Sequence, residues 1–439
     1  MPIPPLTASL TYLTADLPGI GGRLKERPED FLVEEQPLYE ASGSGEHLYL
    51  FVEKRQQTTS DVVRRLAKLF GVRRSDIGYA GLKDKHAITR QHFSIYLPDP
   101  KHEEKYLSRF EFLPYTLLWA RRHENKLRRG HLSSNRFVIL LRQVDPTAVV
   151  VARRTLDRLC TKGVPNYIGH QRFGYRQCNH LLGRSLIERQ WKALLDRMLG
   201  APEQDLGSTT AEGRALYEAD DYLGALANWP RYLRHDRQAL DALRQGRSTH
   251  EAVMAIESQQ LEFLINAFQS AIFNKVLDQR ICDPALPFDQ LVPGDLAWKH
   301  DNRSLFAVDE ATAELENAPQ GRVPSKQVSP SGPMWGPNMT RASGEPGRCE
   351  LAALADLQMS EADLAAVDHV PVYGTRRPLR VHLQDPDVSG GVDEHGPYIR
   401  VAFDLPRGSF ATVVLREVMK TDVARTVNRT TRSAEDPCS

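Results

Sequence analysis

The sequence predicts an α/β (α+β) protein with two or more domains. At 439 residues, the chain is long for a single hydrophobic core. Alternation of polar and apolar residues, typical of strands, occurs near both ends of the chain. Apolar residues at three- and four-residue spacing, typical of helices, prevail from about residue 166 to residue 282. Strand and helix patterns therefore dominate different parts of the chain.

The composition is that of a globular protein, with 41% hydrophobic and 26% charged residues. No apolar run could span a bilayer, and the N-terminus lacks the pattern of a signal peptide, so we expect a cytoplasmic protein with no membrane partner. The net charge of +1 requires any nucleic-acid site to be a local basic surface. Five widely spaced cysteines form no zinc motif, and we expect free thiols and no metal.

The first predicted elements are two strands and a helix. A strand begins at Phe31, after a Pro-Glu-Asp turn, and a second covers residues 47–53. A helix follows, with N-cap candidates at residues 58–61, an apolar face that ends at Phe70, and Gly71 as its C-terminal cap.

The loop at residues 78–91 places one carboxylate, Asp84, among cations. Nearby positive charge favours the ionised form that a nucleophile or base needs. The cationic neighbours are Lys83, Lys85 and His86. We expect Gly78 and Gly81 to let this loop turn tightly, and residues 89–97 to form a half-buried strand. By itself, the loop fits a charged turn with a solvated aspartate better than a catalytic site.

A basic cluster at residues 121–131 contains five Lys or Arg residues and one Glu. Such a cluster fits phosphate contact with RNA about as well as it fits a disordered basic loop. The candidate contacts are Arg121, Arg122, Lys126, Arg128 and Arg129. Asn135 and Phe137 follow on one face of a predicted strand, where an amide and a ring would suit a nucleobase pocket.

The rest of the chain is predicted from its periodicity and its Pro and Gly content. A helix follows residues 145–146 and stops at Gly163, and a long helix covers residues 251–280. We expect loops and short strands at residues 283–348. The elements expected beyond them are a short helix at 360–367, strands at 376–381 and 397–403, a helix that begins at Phe410, and a polar tail from 421.

Six separated motifs resemble those of the tRNA pseudouridine synthase D (TruD) family, in the family's order, across about residues 20–420. They are Lys25 with Pro28, Glu29, Asp30, Phe31, Val33 and Glu35; Gly81, Leu82, Lys83, Asp84, Lys85, Ala87, Thr89 and Gln91; Asn135 and Phe137; residues 164–174 without 168 and 170; Gln269, Ser270, Phe273 and Asn274; and residues 408–412. The region 283–348 and the tail after Val418 lie outside these motifs.

The resemblance implies a tRNA pseudouridine synthase that isomerises a uridine of tRNA, at position 13 of the D arm, without a cofactor. It implies Asp84 as the nucleophile and Lys25 as the basic residue beside it. The substrate-binding positions implied are Phe31, Asn135, Phe137 and Phe410. Lys83, Lys85 and His86 would shape the loop and meet RNA.

The implied fold is a pseudouridine synthase catalytic domain with a mixed, largely antiparallel sheet, joined to a mostly helical insertion domain in a V shape with a basic cleft. The expected boundaries are 1–163 and 376–420 for the catalytic domain, 164–375 for the insertion and 421–439 for the tail. We expect a monomer.

Two other functions fit the same residues. A catalytically silent RNA-binding protein or tRNA folding chaperone could use the basic cleft alone. A nucleoside or glycoside hydrolase could pair Asp84 with Glu29 or Asp30.

Overall fold

A computed structural model describes residues 10–85, 87–201 and 209–421. The chain divides into two compact units, one formed by Tyr12–Val164 and Val381–Ser439, and the other by Pro165–Arg380 with the N-terminal residues up to Thr11. After Thr11, the chain passes from one unit to the other at residues 164–165 and 380–381. These residues form the short strands β7 (Val164–Pro165) and β12 (Arg380–Val381). His86 and residues 422–439, which include nearly all of the predicted tail, lie outside the described residues.

The first unit contains an eight-stranded sheet. Its elements, numbered along the whole chain, are β1 (Phe31–Pro37), β2 (His47–Arg55), α1 (Thr59–Phe70), β3 (Ile77–Tyr79), β4 (Ile88–Tyr96), α2 (Glu103–Ser108), β5 (Tyr115–His123), β6 (Leu132–Arg142), α3 (Val149–Lys162), β13 (Gln384–Asp393), β14 (Gly396–Pro406) and α14 (Ala411–Met419). The strand order is β13-β14-β6-β1-β4-β2-β5, with β3 also paired to β4. Only the pairing of β1 with β4 is parallel among the pairings described in this sheet. The mixed, largely antiparallel sheet is confirmed.

Helix α1 begins and ends where its sequence predicts. The Thr58 side chain accepts a hydrogen bond from the Asp61 backbone N–H, and the Asp61 carboxylate accepts one from the Thr58 N–H. Gly71 ends the helix in the left-handed conformation, with φ of 66°. The apolar face of α1 packs on β2 and β4, so the sheet positions the start of this helix firmly.

Strand β4 is buried on both faces, so the prediction of a half-buried strand was wrong. Phe93 and Ile95 pack in the core with α1. His92 and Ser94, on the opposite face, are also buried. The ring of His92 stacks on Phe51, with centroids 4.4 Å apart. Polar and apolar residues alternate along β4, but this pattern does not show which residues are exposed. Because β4 lies between β1 and β2 in the sheet, most of its polar residues are buried as well.

The second unit is mostly helical and carries a four-stranded sheet of order β11-β10-β8-β9. Its elements are α4 (Asn179–Ile187), α5 (Trp191–Leu199), α6 (Ala211–Glu218), α7 (Tyr222–Asn228), α8 (Arg234–Arg244), α9 (Thr249–Met254), α10 (Ser258–Cys282), β8 (Leu296–Lys299), β9 (Leu305–Ala307), α11 (Glu310–Asn317), β10 (Val328–Met334), α12 (Gly344–Asp356), α13 (Glu361–Ala365) and β11 (Thr375–Pro378). Most of the helices share one large apolar core.

Two details of this unit differ from the sequence prediction. The helix predicted for residues 251–280 is two helices, α9 and α10, because Glu257 is extended, with ψ of 130°. Its backbone N–H bonds to the Gln238 side chain instead of continuing a helix. At the far end, Thr375–Pro378 pairs with β10, which assigns residues 376–380 to this unit, whereas the sequence places them in the catalytic domain.

Candidate active site

The loop between β3 and β4 carries Asp84 and is anchored at its backbone by Lys54. The Lys54 ammonium, at the end of β2, donates to the carbonyl of Asp84 at 3.0 Å and to that of Gln57 at 2.6 Å. Lys54 is 1% exposed, and burial lowers its pKa to about 8, opposed mainly by the nearby charge of Asp84. A buried lysine therefore fixes the position of the Asp84 backbone.

A second anchor joins the loop to the start of α1 and to β4. The Thr59 hydroxyl accepts a hydrogen bond from the Lys83 backbone N–H at 3.1 Å and donates to the Gln91 side chain at 3.1 Å. The Gln91 amide in turn donates to the carbonyl of Gly81. These bonds hold the part of the loop that precedes Asp84, next to the carbonyl that Lys54 binds.

The glycines of this segment have roles other than those the sequence predicts. Neither Gly78 nor Gly81 has a positive φ. Gly78 permits a close approach of backbones, because a Cβ there would lie 2.1 Å from the Leu127 carbonyl oxygen. A Cβ on Gly81 would meet nothing within 4 Å. Only Gly78 is required by the fold.

The carboxylate of Asp84 forms an ion pair with the ammonium of Lys25, which donates to Oδ2. The Lys25 side chain is 9% exposed and the Asp84 side chain 32%, so the pair is open on the side of Asp84. The backbone of Lys25 has φ of 57°, in the left-handed region that a residue with a Cβ rarely adopts. Strain of this kind often marks functional sites, and here it occurs at the residue whose ammonium meets Asp84.

Aromatic rings lie beside this pair. The Lys25 ammonium is 4.3 Å from the centroid of the Phe31 ring. Phe31 meets Phe137 edge to face at 6.3 Å, and Phe137 lies 5.7 Å from Phe403, its cross-strand partner on β14. Phe31 and Phe137 are both buried. The structure thus brings two predicted substrate-binding residues next to Lys25.

Asn135 belongs to the same site through Lys83. The Lys83 ammonium donates to Oδ1 of Asn135 and lies 3.1 Å from a carboxylate oxygen of Glu35. Glu35 and Asn135 are direct partners in the antiparallel pairing of β1 and β6. Lys83 and Asp84 are adjacent in sequence, but their side chains bind different partners. Lys83 contacts Asn135 and Glu35, and Asp84 contacts Lys25.

Phe410 is half-buried and is the N-cap residue of α14. Strand β14, which precedes it, pairs Leu405 with Asn135 and Pro406 with Ser134. The chain thus reaches Phe410 just beyond the end of the strand that lies next to Asn135.

The predicted RNA contacts divide into exposed and internal residues. Arg121, Arg128, Arg129 and Lys85 are exposed, and Lys126 is half-buried. The Arg129 guanidinium donates to the hydroxyl of Tyr79 at 3.1 Å, and that of Arg121 lies 5.4 Å from the Trp119 ring. His86 lies outside the described residues.

Lys83 and Arg122, also predicted to meet RNA, are directed inward. Lys83 is paired with Glu35, and Arg122 donates to the Glu103 carboxylate at 2.7 Å. The local excess of positive charge did not reveal these acidic partners, which come from distant parts of the chain. We leave both residues out of the RNA surface.

A concavity of about 520 Å³ includes one of the exposed arginines, Arg128, in its lining. It is lined by Tyr39, His123, Asn125, Lys126, Arg128 and His131. The ring of Tyr39 stacks on His123 at 5.1 Å, and its hydroxyl lies 2.8 Å from Nδ1 of His131. Aromatic faces and cations therefore share one depression in the first unit.

The two acids considered as partners of Asp84 have other partners. Asp30 is fully buried and receives two hydrogen bonds from the Arg142 guanidinium, at 2.7 and 2.9 Å. Glu29 accepts a hydrogen bond from Arg55 at 3.3 Å. These contacts do not support a pair of catalytic carboxylates.

The part of the chain that the structure describes contains no group of three or more His, Cys, Asp or Glu residues placed to hold a metal ion. Over the same residues, no helix has the length and apolar character needed to cross a membrane.

Sequence reasoning missed Lys54 as an anchor of the loop. A signal was present, because Leu48, Leu50 and Val52 alternate on the buried face of β2 and Lys54 continues that alternation. A lysine in register with a buried apolar series must find acceptors inside the protein.

Comparison with known proteins gives one consistent family. The family model described as tRNA pseudouridine synthase D (TruD) matches residues 8–418. The tRNA pseudouridine synthase D of Geobacter sulfurreducens is 40% identical over 410 residues, which cover 93% of this chain and 96% of that protein. The protein of the same name from Thermus thermophilus is 35% identical over 412 residues, covering 94% and 92%. A crystal structure from Methanosarcina mazei, assigned as tRNA pseudouridine synthase D (TruD), has a TM-score of 0.81 and 26% identity, covering 97% of this chain and 100% of that chain.

Proposed function

Because the chain belongs to the tRNA pseudouridine synthase D (TruD) family, we propose that it isomerises uridine 13 in the D arm of tRNA to pseudouridine, with Asp84 as the nucleophile. The observation that carries the proposal is the ion pair of Asp84 and Lys25 beside Phe31, Phe137 and Asn135. A partly exposed carboxylate fixed by a buried ammonium can attack an electrophilic carbon while its backbone stays in place.

The reaction is an isomerisation and balances without a co-reactant. The bond from N1 of uracil to C1′ of the ribose breaks, the base turns, and C5 bonds to C1′. The proton on C5 is removed, and N1 gains a proton. Asp84 can attack either C1′ or C6 of the base, and the proposal covers both routes. Lys25 keeps the carboxylate oriented, and neither residue changes its oxidation state.

Phe31 and Phe137 are the apolar surface against which the detached uracil turns, and Asn135 supplies a directional hydrogen bond. Stacking on an aromatic ring is worth about 1–3 kcal/mol per base. Taking a base out of its stack costs roughly a few kcal/mol, a comparable amount. Phe410, beyond the end of β14, completes the substrate-binding set in this proposal.

Contacts with the tRNA backbone supply the remaining affinity. We assign them to Arg121, Arg128, Arg129, Lys126 and Lys85, the predicted cations that are not held inside by an acid. Such contacts give affinity that falls with salt concentration.

The test compares Asp84→Asn with Asp76→Asn, a control just before the loop whose carboxylate pairs with the exposed Arg73 and not with Lys25. Asp84→Asn should bind tRNA with wild-type affinity and release no tritium from C5-labelled uridine, whereas Asp76→Asn should keep full activity. Tritium release by Asp84→Asn at the wild-type rate would refute the role of Asp84. A wild-type chain that binds tRNA but releases no tritium would instead indicate a binding protein. Replacing uridine 13 by cytidine should abolish release, and release from that RNA would refute the assigned position.

A further inference from the structure

We propose that Lys83 is a positioning residue that holds the amide of Asn135 with its N–H groups toward the target base, so that the site accepts a carbonyl oxygen at that point. The inference rests on the proposed function, since it takes Asn135 as a substrate-binding residue. It adds a residue, Lys83, that the sequence places on the RNA surface, and it states which chemical group of the base Asn135 reads.

The orientation follows from the chemistry of the ammonium group. Lysine has three N–H donors and no acceptor, whereas an asparagine amide has a donor end and an acceptor end. The end of Asn135 that meets the Lys83 ammonium must therefore be Oδ1, as the structure has it. The Nδ2 group, with two donors, points away from Lys83.

Lys83 is held from both ends and cannot easily release the amide. Its side chain is 7% exposed and pairs with Glu35, which is 1% exposed, at 3.1 Å. The other carboxylate oxygen of Glu35 accepts a hydrogen bond from the His92 backbone N–H at 3.2 Å. The Lys83 backbone N–H is bound by Thr59. Moving Lys83 into solvent would leave a carboxylate buried without its cation, which is strongly unfavourable.

The consequence is selection by a hydrogen-bond pattern. Uracil offers carbonyl acceptors at C2 and C4, whereas cytosine carries an amino donor at C4. An amide fixed with its donors toward the base binds a pyrimidine carbonyl. At C4 it would oppose the amino group of cytosine with another donor, whereas the C2 carbonyl is common to both bases. The same bond can hold the uracil after its bond to the ribose is broken. The ligand group is thus a pyrimidine carbonyl oxygen.

The test pairs two protein variants that differ only at residue 83. Glu35→Gln keeps Lys83 as the donor to Asn135, and Glu35→Gln with Lys83→Met removes that donor without leaving an unpaired buried charge. Each is given tRNA with uridine, 2-thiouridine or 4-thiouridine at the target position, since sulfur is a weak acceptor in place of the contacted oxygen. Single-turnover rate constants at subsaturating enzyme are compared.

We expect one of the two thio substitutions to slow the wild type and Glu35→Gln about tenfold, the factor that corresponds to one hydrogen bond. In the double variant the amide can rotate, and the penalty should fall to about threefold or less. An unchanged penalty in the double variant would overturn the inference, as would the absence of a penalty from either thio RNA in the wild type.

Asn135→Ala keeps the inference testable if the double variant does not fold. That variant must lose the thio penalty completely, and a penalty of wild-type size in it would overturn the inference. Failure of the proposed function is a separate result, because it is read from tritium release by Asp84→Asn and not from the ratio of rates between RNAs.

Discussion

Lys54→Met tests whether the buried ammonium of Lys54 holds the Asp84 loop. The change removes two hydrogen bonds, to the carbonyl oxygens of Gln57 and Asp84, and leaves both carbonyls without this donor. Hydrogen bonds from a charged group are worth roughly 1.5–3 kcal/mol each, but the cost of burying the ammonium offsets part of this gain. We expect the free energy of unfolding at pH 7 to fall by about 2 kcal/mol.

The loss of activity should exceed what the lost stability explains. With the carbonyl of Asp84 released, the carboxylate no longer has a fixed backbone, and a displacement of about 1 Å at reacting groups costs on the order of 100-fold in rate. We expect a fall of that size in the single-turnover rate at a temperature where the variant is fully folded, with little change in tRNA affinity.

The pH dependence of stability gives this prediction a second readout. Burial lowers the pKa of Lys54 from 10.5 to about 8. Between these two values the folded protein has lost a proton that the unfolded chain keeps, so the unfolded state binds more protons and the Lys54 contribution to stability rises with pH. Below pH 8 both states are protonated and the contribution is flat. The gap in unfolding free energy between wild type and Lys54→Met should therefore widen from pH 8 to pH 10.5, by on the order of 2–3 kcal/mol.

Urea unfolding at pH 7, 8.5 and 10 measures this gap, and single-turnover pseudouridine formation measures the rate. Lys68→Met, on the exposed face of α1, is the matched control and should show a gap near zero at every pH. If the difference in unfolding free energy between wild type and Lys54→Met stays constant across this pH range, the inference that burial lowers the pKa of Lys54 is refuted. A wild-type rate in the folded variant would refute the anchoring of Asp84.

Two further predictions concern the loop glycines and the RNA surface. Gly78→Ala should lower the free energy of unfolding by about 2 kcal/mol or more in urea titrations, because its Cβ would lie 2.1 Å from a backbone oxygen. Gly81→Ala is the control and should stay within about 0.5 kcal/mol of the wild type. Equal stability of the two variants would contradict the close approach at Gly78. The triple variant with Arg121, Arg128 and Arg129 changed to Gln should bind tRNA more weakly, and the slope of log affinity against log salt concentration should become less steep by about 2–3. Arg153→Gln on α3 is the control and should change neither the affinity nor the slope. An unaltered slope in the triple variant would show that these arginines do not contact the RNA.

Local signals in the sequence predicted local structure well. Thr58, Asp61 and Gly71 carry the information for the ends of α1 within a few residues, and the structure has the helix there. Pro406 and the apolar run after Phe410 likewise predicted the start of α14. The break between α9 and α10 was missed because Val253, Ile256 and Leu261 continue the apolar stripe across it. Periodicity reports which face is buried, and it cannot show that the backbone between two apolar residues is extended.

Contacts between distant strands could not be predicted from local patterns. Glu35 and Asn135 are neighbours only because β1 pairs with β6 in one particular register. The sequence prediction placed Lys83 and Arg122 on the RNA surface because their acidic partners, Glu35 and Glu103, lie 48 and 19 residues away along the chain. The positive φ of Lys25 also has no signature in its residue type. The family motifs named Lys25, Asp84 and Asn135 without indicating how they are held.

The adjacency of Lys83 and Asp84 explains why the loop is anchored so heavily. Asp84 reaches Lys25, while Lys83 reaches Asn135 and Glu35. A single peptide unit thus joins the group that we propose attacks the nucleotide to the group that orients base recognition. Any shift of this backbone would disturb both at once, and an enzyme that must keep a detached uracil in place cannot tolerate this. The bond from Lys54 to the Asp84 carbonyl and the bond from the Lys83 N–H to Thr59 hold the two peptide units that flank it. The anchors therefore hold the backbone that connects the proposed nucleophile, Asp84, to Lys83, which orients Asn135. For this reason, substitutions at Lys54 should impair both the rate of the reaction and the selectivity for the base.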